Sequence, residues 1–253
     1  SYVQITLVAL NGQTLPFDIN DSLDLQVKNS AGTYVSLFGG DITDVTVAVG
    51  ATGSIATVVE YTLIAMGSLA RIAKEIYTGT ISQDEDGNQI YTILSSVLLG
   101  TWNDVSAASQ WSTYDPTETW ANAQNTGLGE IDRPGDYELE AQNNLNGSVY
   151  QYAVGVATSG LGYLYEDAQG RICYADSTHR GEALAANGYV DLDANQAFGS
   201  GLEISKRAGD VRNKVSIIYG SSGSASVTDS EPDSITLYGE LASTINTTIK
   251  GQT

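Results

Sequence analysis

The 253-residue chain has one cysteine and one histidine, and both fall in a single stretch, SGLGYLYEDAQGRICYADSTHR, residues 159–180. Carboxylates lie on either side of them: Glu166, Asp167 and Asp176. A metal site built on Cys173, His179 and Asp176 is the first chemistry to consider. Zinc sites draw mostly on Cys and His, so with one of each the remaining ligands would all have to be carboxylates. The plainer reading makes Cys173 a small buried apolar residue and His179 either an exposed polar group or a neighbour of an acid. One histidine would suffice for a Ser/His/Asp triad. However, no GxSxG elbow is present, and no glycine-rich phosphate loop followed by Lys. The GLGY of this stretch lacks both a third glycine and a preceding strand. No catalytic residue, metal ligand or cofactor is therefore assigned.

Two acidic runs invite a test for calcium, Asp84-Glu85-Asp86-Gly87 and Asp191-Leu192-Asp193-Ala194-Asn195. In an EF-hand frame the first would start at Ser82 and place Ile93 at the bidentate twelfth position. The second puts Gln196 where the glycine belongs and Leu202 at the twelfth position. Both fail the pattern and read as turns. Trp102, Trp111 and Trp120 recur every nine residues in a loop-rich segment. They are the candidate carbohydrate-binding platform, weighed against ordinary packing.

The composition bounds these options. Hydrophobic residues make up 42% and charged residues 16%, which is a folding chain. Eleven Lys and Arg against 30 Asp and Glu give a net charge of −19. Such a surface repels nucleic-acid phosphates, because contact releases no counterions. One cysteine excludes an intrachain disulfide framework. No run approaches the roughly 20 apolar residues of a membrane helix, and no secretory leader opens the chain.

The elements that must position these residues are mainly β with short helices, an α+β chain. SYVQITLVAL, LDLQVK, YVSLFGGDITDVTVAVG and IATVVEYTLIAM are strand-like, rich in Val, Ile, Thr and Tyr. Ile42, Val45, Val47 and Val49 partly alternate, as on a half-buried sheet, and Gly50 to Gly53 reads as the turn. In GSLARIAKEIY, Leu69, Ile72, Ala73 and Ile76 lie at helical spacing behind a Ser68 cap. SQDEDGNQ reads as a polar turn. IYTILSSVLLG reads as a helix with Ile90, Ile93, Leu94, Val97 and Leu98 on one face. NNLNGSVYQYAVGVATSGLG reads as another, with Val149, Tyr152, Ala153 and Val156 on a face, an Asn144 or Asn146 cap and a stop at Gly160 or Gly162. YLYED and RICYAD flank a Gly170 turn as a hairpin whose Glu166, Asp167 and Asp176 stay wet. Residues beyond it return to strands and Gly/Ser turns, with the cations Lys206, Arg207, Arg212 and Lys214 concentrated there.

Three stretches together resemble the tail hub and minor tail proteins of long-tailed bacteriophages. YVSLFGGDITDVTVAV through TLIAMGSLARI, Tyr34 to Ile72, is similar to that family's strand pair followed by a strand and helix. Ser159, Gly162, Tyr163, Tyr165, Gly170 and Arg180 match its hairpin pattern. RNKVSIIYG, DSITLYGE and TINTTI, Arg212 to Ile249, are similar to its closing segments. The family's usual N-terminal opening is not evident, and the chain stops just after the Tyr-Gly segment.

The resemblance implies tail-tube-like β-barrel domains flanking a smaller α+β domain. Residues 1–80 would be the tube-like β-domain, 81–200 the α+β domain carrying the 163–176 hairpin, and 201–253 a further β-domain incomplete at its C-terminus. It further implies a non-enzymatic virion component at the tail tip. Such a hub is a homotrimer that joins the tail tube protein to the distal tail protein, the tape measure protein and other tip proteins. Viral DNA would pass its channel without tight binding, which an acidic wall favours. The alternatives are a tip module that binds host-surface carbohydrate and a cell-wall hydrolase, which would need a paired carboxylate site in a cleft.

Overall fold

A computed structural model describes residues 1–10, 15, 17–52, 56–101, 131–168, 170–179, 181, 184–185, 188, 209 and 211–251. Strands β1 (Tyr2–Leu10), β2 (Ser22–Lys28), β3 (Tyr34–Thr52) and β4 (Ala56–Met66) form an antiparallel sheet in the order β1-β4-β3-β2. The four strands expected before α1 are present, and the chain is mainly β with short helices. The odd step from Ile42 to Val45 has a physical cause. A β-bulge at Thr43 shifts the register, so Ile42 opposite Ala65 and Val45 opposite Leu63 share a face although three residues apart. Gly50, Ala51 and Thr52 are not a turn: they pair with Val58, Thr57 and Ala56 as strand.

One face of the sheet is apolar and buried; the other is mixed, with acids beside the exposed Tyr2, Val8 and Met66. Phe38, Ile42, Leu63 and Ala65 form its buried cluster, with Val3, Leu7, Phe17, Leu23, Leu25 and Val45 packed against it. Phe17 reaches back to meet the Tyr61 ring edge-on at 5.5 Å. Farther along β3 the same face runs out of cover, leaving Val47 and Val49 exposed.

The helix after this sheet is shorter than its periodicity suggests. α1 spans Ser68–Ile72, with Gly67 as its N-cap. Ser68 does not cap: its hydroxyl donates to the Gly170 carbonyl across the fold. Ile76 opens β5 (Ile76–Ile81) and is exposed. The polar SQDEDGNQ is not a turn either. Asp84–Glu85 is a short strand, β6, and Asp86 starts α2 (Asp86–Thr101), because an acid in the first turn suits the helix dipole. β6 pairs with β7 (Glu138–Leu139), and β5 pairs with β8 (Gln142–Ser148). The Asn-rich run read as a helix start is thus a strand, and the Asn144 and Asn146 caps fall within it. α3 follows as Val149–Ser159, with Ser148 as N-cap and Gly160 as C-cap.

Packed against α3, α2 forms the main core. Ile90, Ile93, Leu94 and Val97 meet Val149, Ala153 and Val156, closed by Ile72, Ile81, Ile131, Leu139, Ile172 and Tyr174. The hairpin is present as β9 (Tyr163–Glu166) and β10 (Ile172–Ala175), with every β10 residue buried. The C-terminal sheet runs β12-β11-β13: β11 (Lys214–Tyr219) between antiparallel β12 (Ala225–Ser230) and parallel β13 (Ala242–Asn246). DSITLYG, expected as strand, is instead helix α4 (Pro232–Tyr238). Pro232 at its first position, a Glu231 cap onto the Asp233 N–H and Gly239 at its end outweigh the β-propensity of Ile, Thr and Tyr.

Candidate functional site

The stretch holding the lone Cys and His is a structural junction. Tyr174, at the centre of β10, donates its hydroxyl to the buried Asp86 carboxylate at the start of α2. Asp86 also accepts the Asp136 N–H at 2.8 Å and the Tyr137 N–H at 3.2 Å. One side chain thereby ties α2, the hairpin and the 131–137 segment together. Burial pushes the Asp86 carboxyl up from its ordinary value, against the pull of those donors, and pushes the Tyr174 phenol up as well. Gly135 and Gly160 approach the Asp86 carboxylate so closely that a Cβ on either would overlap it.

His179 sits beside an acid, one of the two places expected for it. Its Nδ1 lies 2.7 Å from Asp132 Oδ2, which also accepts the Asp176 N–H at 3.0 Å. Burial raises the Asp132 carboxyl, an effect that the His179 contact only partly offsets. The Asp176 carboxylate turns back to accept the Thr178 and His179 N–H groups, as a local cap. Cys173 is buried, its thiol 3.6 Å from the Arg171 carbonyl. Cys173, Asp176 and His179 are thus each engaged with different partners. Among the described residues no group of three His, Cys, Asp or Glu is placed to hold a metal ion.

The expected wet side of the hairpin needs correction. The Glu166 side chain is only 3% exposed, because it turns in to accept the Leu69 N–H at the start of α1. Asp167 pairs with the buried Arg171 guanidinium across the turn. Gly170 carries φ +80° and lies so close to Gly39 that a Cβ would overlap its carbonyl. The turn therefore needs glycine for two reasons, backbone sign and close approach. Tyr163 and Tyr165 do share a face with Ala175 and Cys173, but Tyr163 is exposed.

Of the other candidates, Asp84 accepts from Asn88 at 2.9 Å, the Ser82 carbonyl accepts from Gln89, and Ile93 is core. Asp191, Asp193, Gln196 and Leu202 lie outside the described residues, as do Trp102, Trp111 and Trp120.

A surface that no motif announced is the acid-bearing face of the first sheet. Opposite the apolar cluster, Gln4 of β1 faces Ile64 of β4, Thr6 faces Thr62 and Val8 faces Glu60, with Asp41, Asp44 and Thr46 of β3 and Ser22, Asp24 and Gln26 of β2 on the same side. Four carboxylates thus share one face. Asp41 is paired with Arg71 at 3.1 Å, and Lys28 covers the Tyr34 ring at 5.6 Å. In SLDLQVK the alternation itself shows Asp24 and Gln26 opposite Leu23 and Leu25. For Asp44 the bulge hid the phase.

No protein-family model matches the chain, and no curated protein sequence does. Solved structures are similar. They include the tail protein from Neisseria meningitidis MC58 (10% identity, TM-score 0.50, 98% of this chain and 72% of that one). The 43 kDa tail protein of prophage MuSo2 from Shewanella oneidensis is 9% identical, with a TM-score of 0.48 over 97% of this chain and 64% of that one. Prophage tail protein gp18 from Listeria monocytogenes EGD-e is 8% identical, with a TM-score of 0.37 over 89% of this chain and 61% of that one. The chain thus spans less than two thirds of the length of two of these three proteins. At such identities the likeness is one of fold, and over nearly its whole length this chain is similar in fold to the Neisseria tail protein.

Proposed function

We propose that the chain is a structural component of a bacteriophage tail tip, a hub that joins the tail tube to tip proteins and lines a channel for DNA. The observation that carries this reading is the fold likeness to a tail protein over 98% of the chain. The two-faced first sheet supports it physically. A tube wall needs one face packed on protein and one face wet. Here the outward face carries Asp24, Asp44 and Glu60. Facing a channel, these carboxylates repel DNA phosphates, so the polymer slides without being held. The outer edges of β1 and β2 are both long enough to meet neighbouring subunits.

In this reading the protein is not an enzyme. Three copies assemble around the channel and contact the tail tube, distal tail and tape measure proteins, with residues 1–80 and 201–253 as the tube-like parts. Light scattering on the purified chain tests the assembly. A mass three times that of the chain is expected, and a strictly monomeric chain at high concentration would count against it. Neutralising the face with Asp24→Asn, Asp44→Asn and Glu60→Gln tests the wall. It should slow genome release from otherwise intact particles, whereas unchanged release would remove the channel role.

A further inference from the structure

Helix α4 (Pro232–Tyr238) joins β12 to β13 and buries none of its residues. Seven residues are far too few to hold a helix by backbone bonds alone. What holds this one is Asn213, which is 5% exposed. Its amide Nδ2 donates to the Gly239 carbonyl at 2.7 Å, and its Oδ1 accepts the Leu241 N–H at 2.7 Å. Its backbone carbonyl accepts the Glu231 N–H at 2.9 Å. A single buried side chain and its own peptide thus clamp both ends of the helix. Core packing plays little part, and the outward side stays bare: Leu237 is 72% exposed and Tyr238 53%.

Among the described residues, exposed acids outnumber cations around this face. Asp229, Glu231 and Asp233 are exposed and precede the two apolar residues, and Glu240 follows them. Asp233 lies one turn before Leu237 on the same side of the helix. Of the cations next to Asn213, Lys214 is engaged with Glu240 at 3.0 Å. Arg212 turns its guanidinium onto the Gly209 and Val211 carbonyls. A second copy docking by this same face would bring Asp229, Glu231 and Asp233 against their own counterparts.

We propose that α4 is a docking helix for a different protein, one that offers an apolar side chain flanked by Lys or Arg. Leu237 and Tyr238 supply the apolar anchor and the acids Asp229, Glu231 and Asp233 the steering rim. This rests on α4 and Asn213 alone, so it stands or falls separately from the tail-tip reading. The test is a random-peptide display selection on the full chain, with the Leu237→Ser/Tyr238→Ser chain as counter-target. Selected peptides should carry an apolar residue among Lys and Arg, bind the variant at least about tenfold more weakly, and weaken as salt rises. Selected peptides without that pattern, or binding indifferent to the variant, would overturn the proposal. A fall in the variant's melting temperature would overturn it too, since it would mean that the chain itself covers the face. So would concentration-dependent self-association that the variant abolishes.

Discussion

Replacing Asp86 with alanine removes the acceptor for three donors at once. The Asp136 and Tyr137 N–H groups and the Tyr174 hydroxyl converge on a side chain with no solvent exposure. A buried donor left without a partner costs about 1–3 kcal/mol, so three would cost roughly 3–9 kcal/mol if nothing relaxed. Water entering the vacated space and relief from a buried charge recover part of this. The expected loss is therefore ~4 kcal/mol, at the upper end for single substitutions. Tyr174→Phe keeps the buried ring and strips one donor, so it should cost about 1–2 kcal/mol. The two changes remove the same bond. In the Asp86→Ala background Tyr174→Phe should then cost less than it does alone, a coupling of about 1 kcal/mol. Urea unfolding followed by tryptophan fluorescence and far-UV circular dichroism measures all four corners of the cycle. An Asp86→Ala chain within about 0.5 kcal/mol of wild type would refute the junction argument.

Other substitutions test separate parts of the account. Gly170→Ala forces a side chain into φ +80° and into the Gly39 carbonyl, and should destabilise by ~3 kcal/mol or more in the same urea assay. Asn213→Ala removes both 2.7 Å side-chain bonds that clamp α4. Hydrogen exchange at the Leu241 amide should accelerate while that of β4 amides holds. The pH test uses Asp132, whose folded-state carboxyl is raised above its ordinary 3.8 chiefly by burial. Between 3.8 and that raised value the folded chain binds more protons than the unfolded one, so this group's contribution to stability grows as pH falls through the window. Urea midpoints from pH 7 downward should therefore show wild type gaining on Asp132→Asn. A constant difference would contradict the assigned burial.

Much of the fold was legible because local signals agreed. The Val, Ile and Thr of residues 2–10, 23–28, 34–49 and 56–66 read as strands and are strands, and the uneven step at Ile42–Val45 was the mark of the bulge. The face of α2 carrying Ile90, Ile93, Leu94 and Val97 was likewise plain, since four residues at helical spacing bury together. Where distant partners decided, the sequence misled. QNNLNGS is a poor strand by composition, yet its pairing with β5 holds it as one. In DSITLYG the residue types said strand, whereas the cap, the proline and the glycine at its ends, the stronger signal, said helix. The Asp86–Tyr174 bond spans 88 positions, and nothing near either residue announces it. Glu166 read as wet because a hairpin flank usually is. Its burial follows from the approach of α1, an element 97 positions away. The acidic sheet face was half legible, through Asp24, and half hidden by the bulge that sets the phase of Asp44.

The central proposal is tested most directly by cryo-electron microscopy of phage particles from the source of this chain. The account expects three copies in a ring at the distal end of the tail tube, around an open channel, with Asp24, Asp44 and Glu60 facing the lumen. The chain elsewhere in the particle, or at the tip with that face turned outward, would contradict it.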